Sequence, residues 1–318
     1  MAGPDTSPKT QLRCCTGSSA RGERGLRGQT LVSLGDTLIA LDFPESITFE
    51  PLRSPYELFG PTGRECSQLE VRIRPGDTRM EGPLLFDSGQ AWSISLEERG
   101  YLLASGPPGR EEAFVTARFD LDSEKVDLRY SDRLAREFRA PHEPLVNPFS
   151  YPVDRVLLMY LLAAQKAVVM HAAAAIDERG RGFLFPSVSG AGKSTISRLL
   201  ADRPGWQVLC DERIIVRQSG TGFRVFGAPW PGEAGIANPA SAQLDAVLFL
   251  THASENQLTE VSIGEAVLTL LSLFAAPWYD PPVFNRQLTL IEDLVTSVPL
   301  YRLYFAPTPE VADLLAGI

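Results

Sequence analysis

Phe183-Leu-Phe-Pro-Ser-Val-Ser-Gly-Ala-Gly-Lys-Ser-Thr195 decides how this chain is read. A short apolar strand (182–185) runs into a loop of small residues, and the loop runs into a helix that starts near Lys193. Gly190 and Gly192 allow the backbone to turn with its N–H groups facing inward, where they can surround an anion. A helix start adds unpaired N–H donors and the positive end of the helix dipole. Lys193 brings a mobile positive charge for β- and γ-phosphates, and the Ser194 hydroxyl is suited to Mg²⁺. The nucleotide-holding set is thus Ser189, Gly190, Ala191, Gly192, Lys193, Ser194 and Thr195. One position departs from the G-x-x-x-x-G-K-[ST] pattern, since Ser187 stands where its first glycine belongs. The stretch implies binding of a nucleoside triphosphate.

The rest of the chain agrees with a soluble, cytoplasmic protein of that kind. It has 318 residues, 44% of them hydrophobic and 22% charged, the composition of an ordinary globular protein. A net charge of −9 argues against a nucleic-acid surface, which needs clustered Lys and Arg. No apolar run approaches the roughly 20 residues of a membrane span, so no membrane partner is expected. The four cysteines (Cys14, Cys15, Cys66 and Cys210) show neither metal-ligand spacing nor a disulfide framework.

Residues 1–28 read as a disordered tail rich in Gly, Ser, Thr and Arg (Arg13, Arg21, Arg24, Arg27). Residues 29–145 read as a smaller, mainly antiparallel β domain. Strand-like stretches at 31–41, 69–73, 84–86, 92–96, 101–103, 114–119 and 126–130 are separated by turn signals such as those at 74–77 and 106–109. A proline-rich linker leads into 146–318, where an apolar helix (153–166) precedes the strand 167–176. Strands are then expected at 206–210, 223–226, 246–250 and 301–305, and helices at 193–201, 264–274 and 283–296, with a short one from 309. Strands alternating with helices around the glycine loop indicate an α/β unit on a mixed sheet.

Chemistry beyond binding needs a metal holder and a group to manage a proton. Asp211 and Glu212 end the strand that follows the loop helix, at the sheet edge where α/β ligands sit. Adjacent residues in extended chain point to opposite faces, so Asp211 is taken as base and Mg²⁺ ligand and Glu212 as its partner. His171, within an apolar strand beside the loop, is a further candidate. The segment 226–235, with Trp230 and Glu233, is a Gly/Pro loop able to cover a site.

Taken in order, these motifs resemble the C-terminal domain of the HPr kinase/phosphorylase family, itself related to ATP-dependent phosphoenolpyruvate carboxykinases. The resemblance covers His171, the run Ser189-Gly-Ala-Gly-Lys-Ser194 and Cys210-Asp-Glu-Arg213, with Gly227-Ala-Pro-Trp230 as a looser match. It implies ATP and Mg²⁺ as cofactors, with Lys193 on phosphate, Ser194 and Asp211 on metal, and Lys193, Asp211, His171 and Glu212 as the catalytic group. It also implies γ-phosphoryl transfer to a hydroxyl of a small molecule or a peptide or protein serine, and a homo-oligomeric assembly. The family's Arg-Gly-Leu-Gly docking signature is missing after Val216, so HPr itself is not the expected substrate. Ser187 and Glu212 also suit an alternative, a nucleotide-binding regulatory or scaffold protein without turnover. A carboxykinase-like reading would recruit His171, Arg213 and Arg286.

Overall fold

The computed structural model describes residues 25–318 apart from 54, 107–111, 138 and 141. The expected tail, with Cys14, Cys15, Arg13, Arg21 and Arg24, lies almost wholly outside the described residues, as does most of the turn at 106–109. Two mixed sheets and few helices make up the rest.

The first sheet is built from β1 (Gly28–Leu34), β2 (Thr37–Phe43), β3 (Ser67–Pro75), β4 (Leu84–Asp87), β5 (Trp92–Leu96), β6 (Tyr101–Ser105), β7 (Val115–Phe119) and β8 (Lys125–Tyr130). They lie in the order β1-β2-β3-β8-β7-β6-β5-β4. The pairs β2–β3 and β3–β8 are parallel, and the other neighbours are antiparallel. Alternation sets the strand faces: in β3, Leu69, Val71 and Ile73 are buried while Glu70 and Arg72 face outward. The stretch 31–41, expected as one strand, is a hairpin. Gly35 and Asp36 both take positive φ (57° and 60°), which the two-residue type I′ turn requires and an unbroken strand forbids.

Helix α1 (Asp132–Arg136) is one short turn, and α2 (Val153–Ala164) follows. Helix α2 is apolar nearly all round because it is enclosed, packing on β6 and on the strand that follows it. Its Tyr160 ring meets Tyr101 (4.9 Å) and Phe119 (5.6 Å) of the first sheet.

The second sheet contains β9 (Ala167–Ile176), β10 (Arg181–Pro186), β11 (Gln207–Cys210), β12 (Arg213–Ser219), β13 (Gly222–Phe226), β14 (Ser241–His252), β15 (Gln257–Glu260), β16 (Phe274–Ala275) and β17 (Leu300–Phe305). Pairing runs β10-β9-β12-β13-β14 and returns from β14 to β10, so these five strands close on themselves. Strand β14 is parallel to both β10 and β17, so their C-terminal ends share one edge. Helices α3 (Lys193–Ala201), α4 (Ile263–Leu270), α5 (Pro281–Ser297) and α6 (Val311–Ala316) complete the chain. The expected helix 264–274 stops at Leu270, and Phe274–Ala275 instead pairs with β9. Among the described residues, no helix is long and apolar enough to cross a membrane.

The sheets are joined through side chains. The tip of the β1–β2 hairpin rests on β12, where a Cβ on Gly35 would fall 2.8 Å from Ile215 Cγ2. Buried Arg217 donates to the Gly35 carbonyl and to Thr37 Oγ1 (3.1 Å). Thr37 Oγ1 in turn donates to Gln165 Oε1 (2.5 Å). One apolar cluster runs from the first sheet through α2 to Val169, Ile215, Phe226 and Trp230.

Burial pushes the phenols of Tyr130 and Tyr279 up to about 12, from an ordinary value of 10.0. A raised phenol stabilises the fold fully below pH 10, and that stability is lost as pH rises toward 12, where the unfolded chain ionises first. A pH titration of phenolate absorbance should therefore show the signal of these two tyrosines rising only as pH approaches 12.

Candidate functional site

Strand β10 ends at Pro186, residues 187–192 form the loop, and α3 begins at Lys193. Gly190 and Gly192 have φ of 82° and 104°, the left-handed conformation that lets the loop curl before the helix. Ile196 and Leu200 then bury one face of α3 against β10 and its neighbours. Val188, Ser189 and Gly190 are exposed, while Ser187 is buried with its Oγ unpartnered.

Lys193 folds back over the loop. Its Nζ donates to the carbonyls of Ser187 and Val188, both at 3.0 Å, and the residue is only 5% exposed. Burial lowers its pKa, against the pull of the Glu212 and Asp211 charges. An ammonium has three donors, so one remains for an incoming group.

The residues singled out from sequence meet here. His171 lies opposite Arg213 across the β9–β12 ladder, and its carbonyl accepts from Ser187 N (3.3 Å). His171 Nε2 is 3.0 Å from Glu212 Oε1, a contact that becomes an ion pair only when the ring is protonated. Burial and then the Lys193 charge hold the imidazole below its ordinary pKa, so the ring is neutral and able to accept a proton near neutral pH.

The two acids face different ways. Asp211 is fully buried and accepts from the backbone N–H groups of Gly232 (2.9 Å), Ala234 (2.7 Å) and Ile236 (3.3 Å). Its carboxylate therefore holds the Gly/Pro loop, whereas partly exposed Glu212 turns to His171. Trp230 is buried as well, its indole donating to Tyr56 Oη (3.1 Å), which donates to Asp154 (2.7 Å). Glu233 contributes its carbonyl, which accepts from Arg198 (3.2 Å).

Gly232 has no room for a side chain. A Cβ there would fall 2.9 Å from Asp211 Oδ2 and 3.0 Å from Glu212 Cβ. Gly232→Ala should displace both acids, cutting any turnover by about tenfold or more while nucleotide titrations change little. Equal losses in both would show instead that the substitution disturbs the whole site.

His252 is a member of the site that sequence reasoning missed. It ends β14, its Nε2 lies 3.0 Å from the Gly190 carbonyl, and it also sits against Gly192. The signal would have been strand order: β14 runs parallel beside β10, so its last residue reaches the same edge as the loop.

No family model matches the chain, and no curated protein matches it in sequence. Among solved structures it is similar to the HPr(Ser) kinase/phosphatase from Coxiella burnetii, at 15% identity and a TM-score of 0.28. That match covers 47% of this chain and 93% of the other.

Among the described residues, no three of His, Cys, Asp and Glu converge as a metal cage. A Mg²⁺ site built on phosphates needs less, one or two protein oxygens with waters completing the shell. Ser194, in the first turn of α3, suits that role. The curled glycine loop, the folded-back lysine and the unpartnered Ser187 Oγ fit a polyphosphate.

Proposed function

We propose that this chain is an ATP- and Mg²⁺-dependent kinase that moves the γ-phosphoryl group to a hydroxyl of a small molecule or a peptide serine. The observation that carries the reading is the meeting of Lys193, His171 and the Asp211–Glu212 pair at the mouth of the 187–192 loop. In this reading the loop N–H groups from Ser189 to Thr195 hold the phosphates, Lys193 neutralises their charge, and Ser194 holds Mg²⁺. Bound Mg²⁺ would supply the charge neutralisation that phosphoryl transfer needs. Glu212, in contact with neutral His171, takes the acceptor proton. Asp211 orders the loop wall, and it reaches metal or acceptor only by releasing the backbone donors it now holds.

The experiment is ATP binding and ATP consumption with Mg²⁺, measured on wild type, Glu212→Gln and Asp211→Asn. Glu212→Gln should keep binding and lose about 100-fold or more in turnover. Asp211→Asn should also loosen the loop, seen as faster amide exchange at Gly232, Ala234 and Ile236. A second reading, a nucleotide-binding module without turnover, is favoured by the tethering of Asp211. It prevails if wild type binds ATP yet consumes none with serine peptides, hydroxy acids or polyols.

A further inference from the structure

Two arginines stand beside this site without a salt bridge among the described residues, although Arg213 feels the Glu212 charge. Arg213, half-buried, is the cross-strand neighbour of His171 and follows Glu212 directly. Arg155 projects from the first turn of α2, its guanidinium carbon 5.2 Å from the Tyr151 ring centroid and 5.9 Å from that of Trp230. Among the described residues, neither guanidinium forms an ion pair or a side-chain hydrogen bond, whereas Arg74, Arg118, Arg181 and Arg302 each have a carboxylate. Burial lowers the Arg213 pKa, the Glu212 charge opposes that, and the Arg155 guanidinium is near enough to add to the lowering. Lys193 and Arg213 share Glu212 as a facing anion, so the arginine pair can still draw a second one.

The surroundings fix this arrangement. Trp230, the shelf under Arg155, is held by its hydrogen bond to Tyr56, and its carbonyl faces Cys210 Sγ (3.5 Å), three residues before Arg213. A planar guanidinium on an aromatic face keeps its edge donors free for a two-pronged bond to an oxyanion.

We propose that Arg155 and Arg213 form an oxyanion subsite, so that the hydroxyl acceptor carries a carboxylate or phosphate group. The inference rests on the phosphoryl-transfer reading for its link to the acceptor. The subsite lies on the His171 side of the cluster, which sets the acceptor hydroxyl toward Glu212 while its anion is held by the arginines. Neutral polyols and sugars lack the group that these arginines select.

The test uses the full chain in two titrations. ADP with Mg²⁺ is titrated first, and the ADP-loaded protein is then titrated with glycerate, glycerol 3-phosphate and glycerol. Glycerate or glycerol 3-phosphate should bind while glycerol does not, and the tighter of the two identifies carboxylate or phosphate. Arg155→Ala and Arg213→Ala should each weaken that binding at least about tenfold. Arg213→Lys, which keeps the charge but loses the fork, should also bind more weakly than wild type. Arg155 is exposed, so its variant is not expected to compromise folding and serves if Arg213→Ala does not fold. If ADP binds and neither oxyanion does, or both bind the variants as they bind wild type, the subsite is overturned and the nucleotide reading stands. If ADP fails to bind while an oxyanion still requires both arginines, the nucleotide reading falls and the subsite stands.

Discussion

Lys193→Ala should reduce Mg·ATP affinity by about 100-fold or more, a loss of roughly 2.7 kcal/mol in binding, while the chain stays folded. An enclosed lysine is costly unless its ammonium is fully used, and here it is held by two loop carbonyls with one donor to spare. Alanine removes that donor and the positive charge facing the loop. It leaves the Ser187 and Val188 carbonyls short of a partner, at a stability cost of about 1–2 kcal/mol, which a domain of this size tolerates. Isothermal titration with ATP and Mg²⁺, beside thermal unfolding of the same samples, separates the two effects. Unchanged affinity in a folded Lys193→Ala would mean that the loop is not a nucleotide site.

The second large effect concerns the junction between the sheets. Arg217→Met should cost roughly 2–4 kcal/mol of stability, because Gly35 O and Thr37 Oγ1 both lose a buried donor. The methionine stem replaces most of the apolar packing, so the loss reports the hydrogen bonds rather than a cavity. Arg224 is the control. It bonds Ser241 Oγ (2.8 Å) in a part-buried setting where water can replace it, so Arg224→Met should change stability by less than about 1 kcal/mol. Urea denaturation of both variants decides, and equal small losses would show that the hairpin tip is not held by Arg217.

The glycine loop was readable because its signal is local: an apolar strand, small residues and a lysine at a helix start lie in one continuous stretch. Strand periodicity served equally well in β3, where every second residue is apolar. The hairpin at Gly35-Asp36 was lost because apolar residues continue on both sides of the turn, although the dipeptide itself favours positive φ. Strand β15 is hidden for the opposite reason, since Gln257 and Glu260 carry polar side chains on a strand that, among the described residues, pairs with β17 alone. His252 and Arg155 join the site through strand order and helix placement, which no local pattern encodes. That Asp211 and Glu212 diverge follows from extended geometry. Which of them meets His171 depends on three N–H groups more than twenty residues later, at Gly232, Ala234 and Ile236.

The segment from Trp230 to Ile236 is clamped from two directions, by Tyr56 at one end and by Asp211 along the other. A flap needs a free hinge, and lifting this segment would break the buried bond to Tyr56 and the part-buried bonds to Asp211. It behaves as a fixed jamb rather than a door. The exposed tip at Val188, Ser189 and Gly190 is tied by side chains, Lys193 at the Val188 carbonyl and His252 at that of Gly190, so any opening for the proposed nucleotide goes through those two contacts.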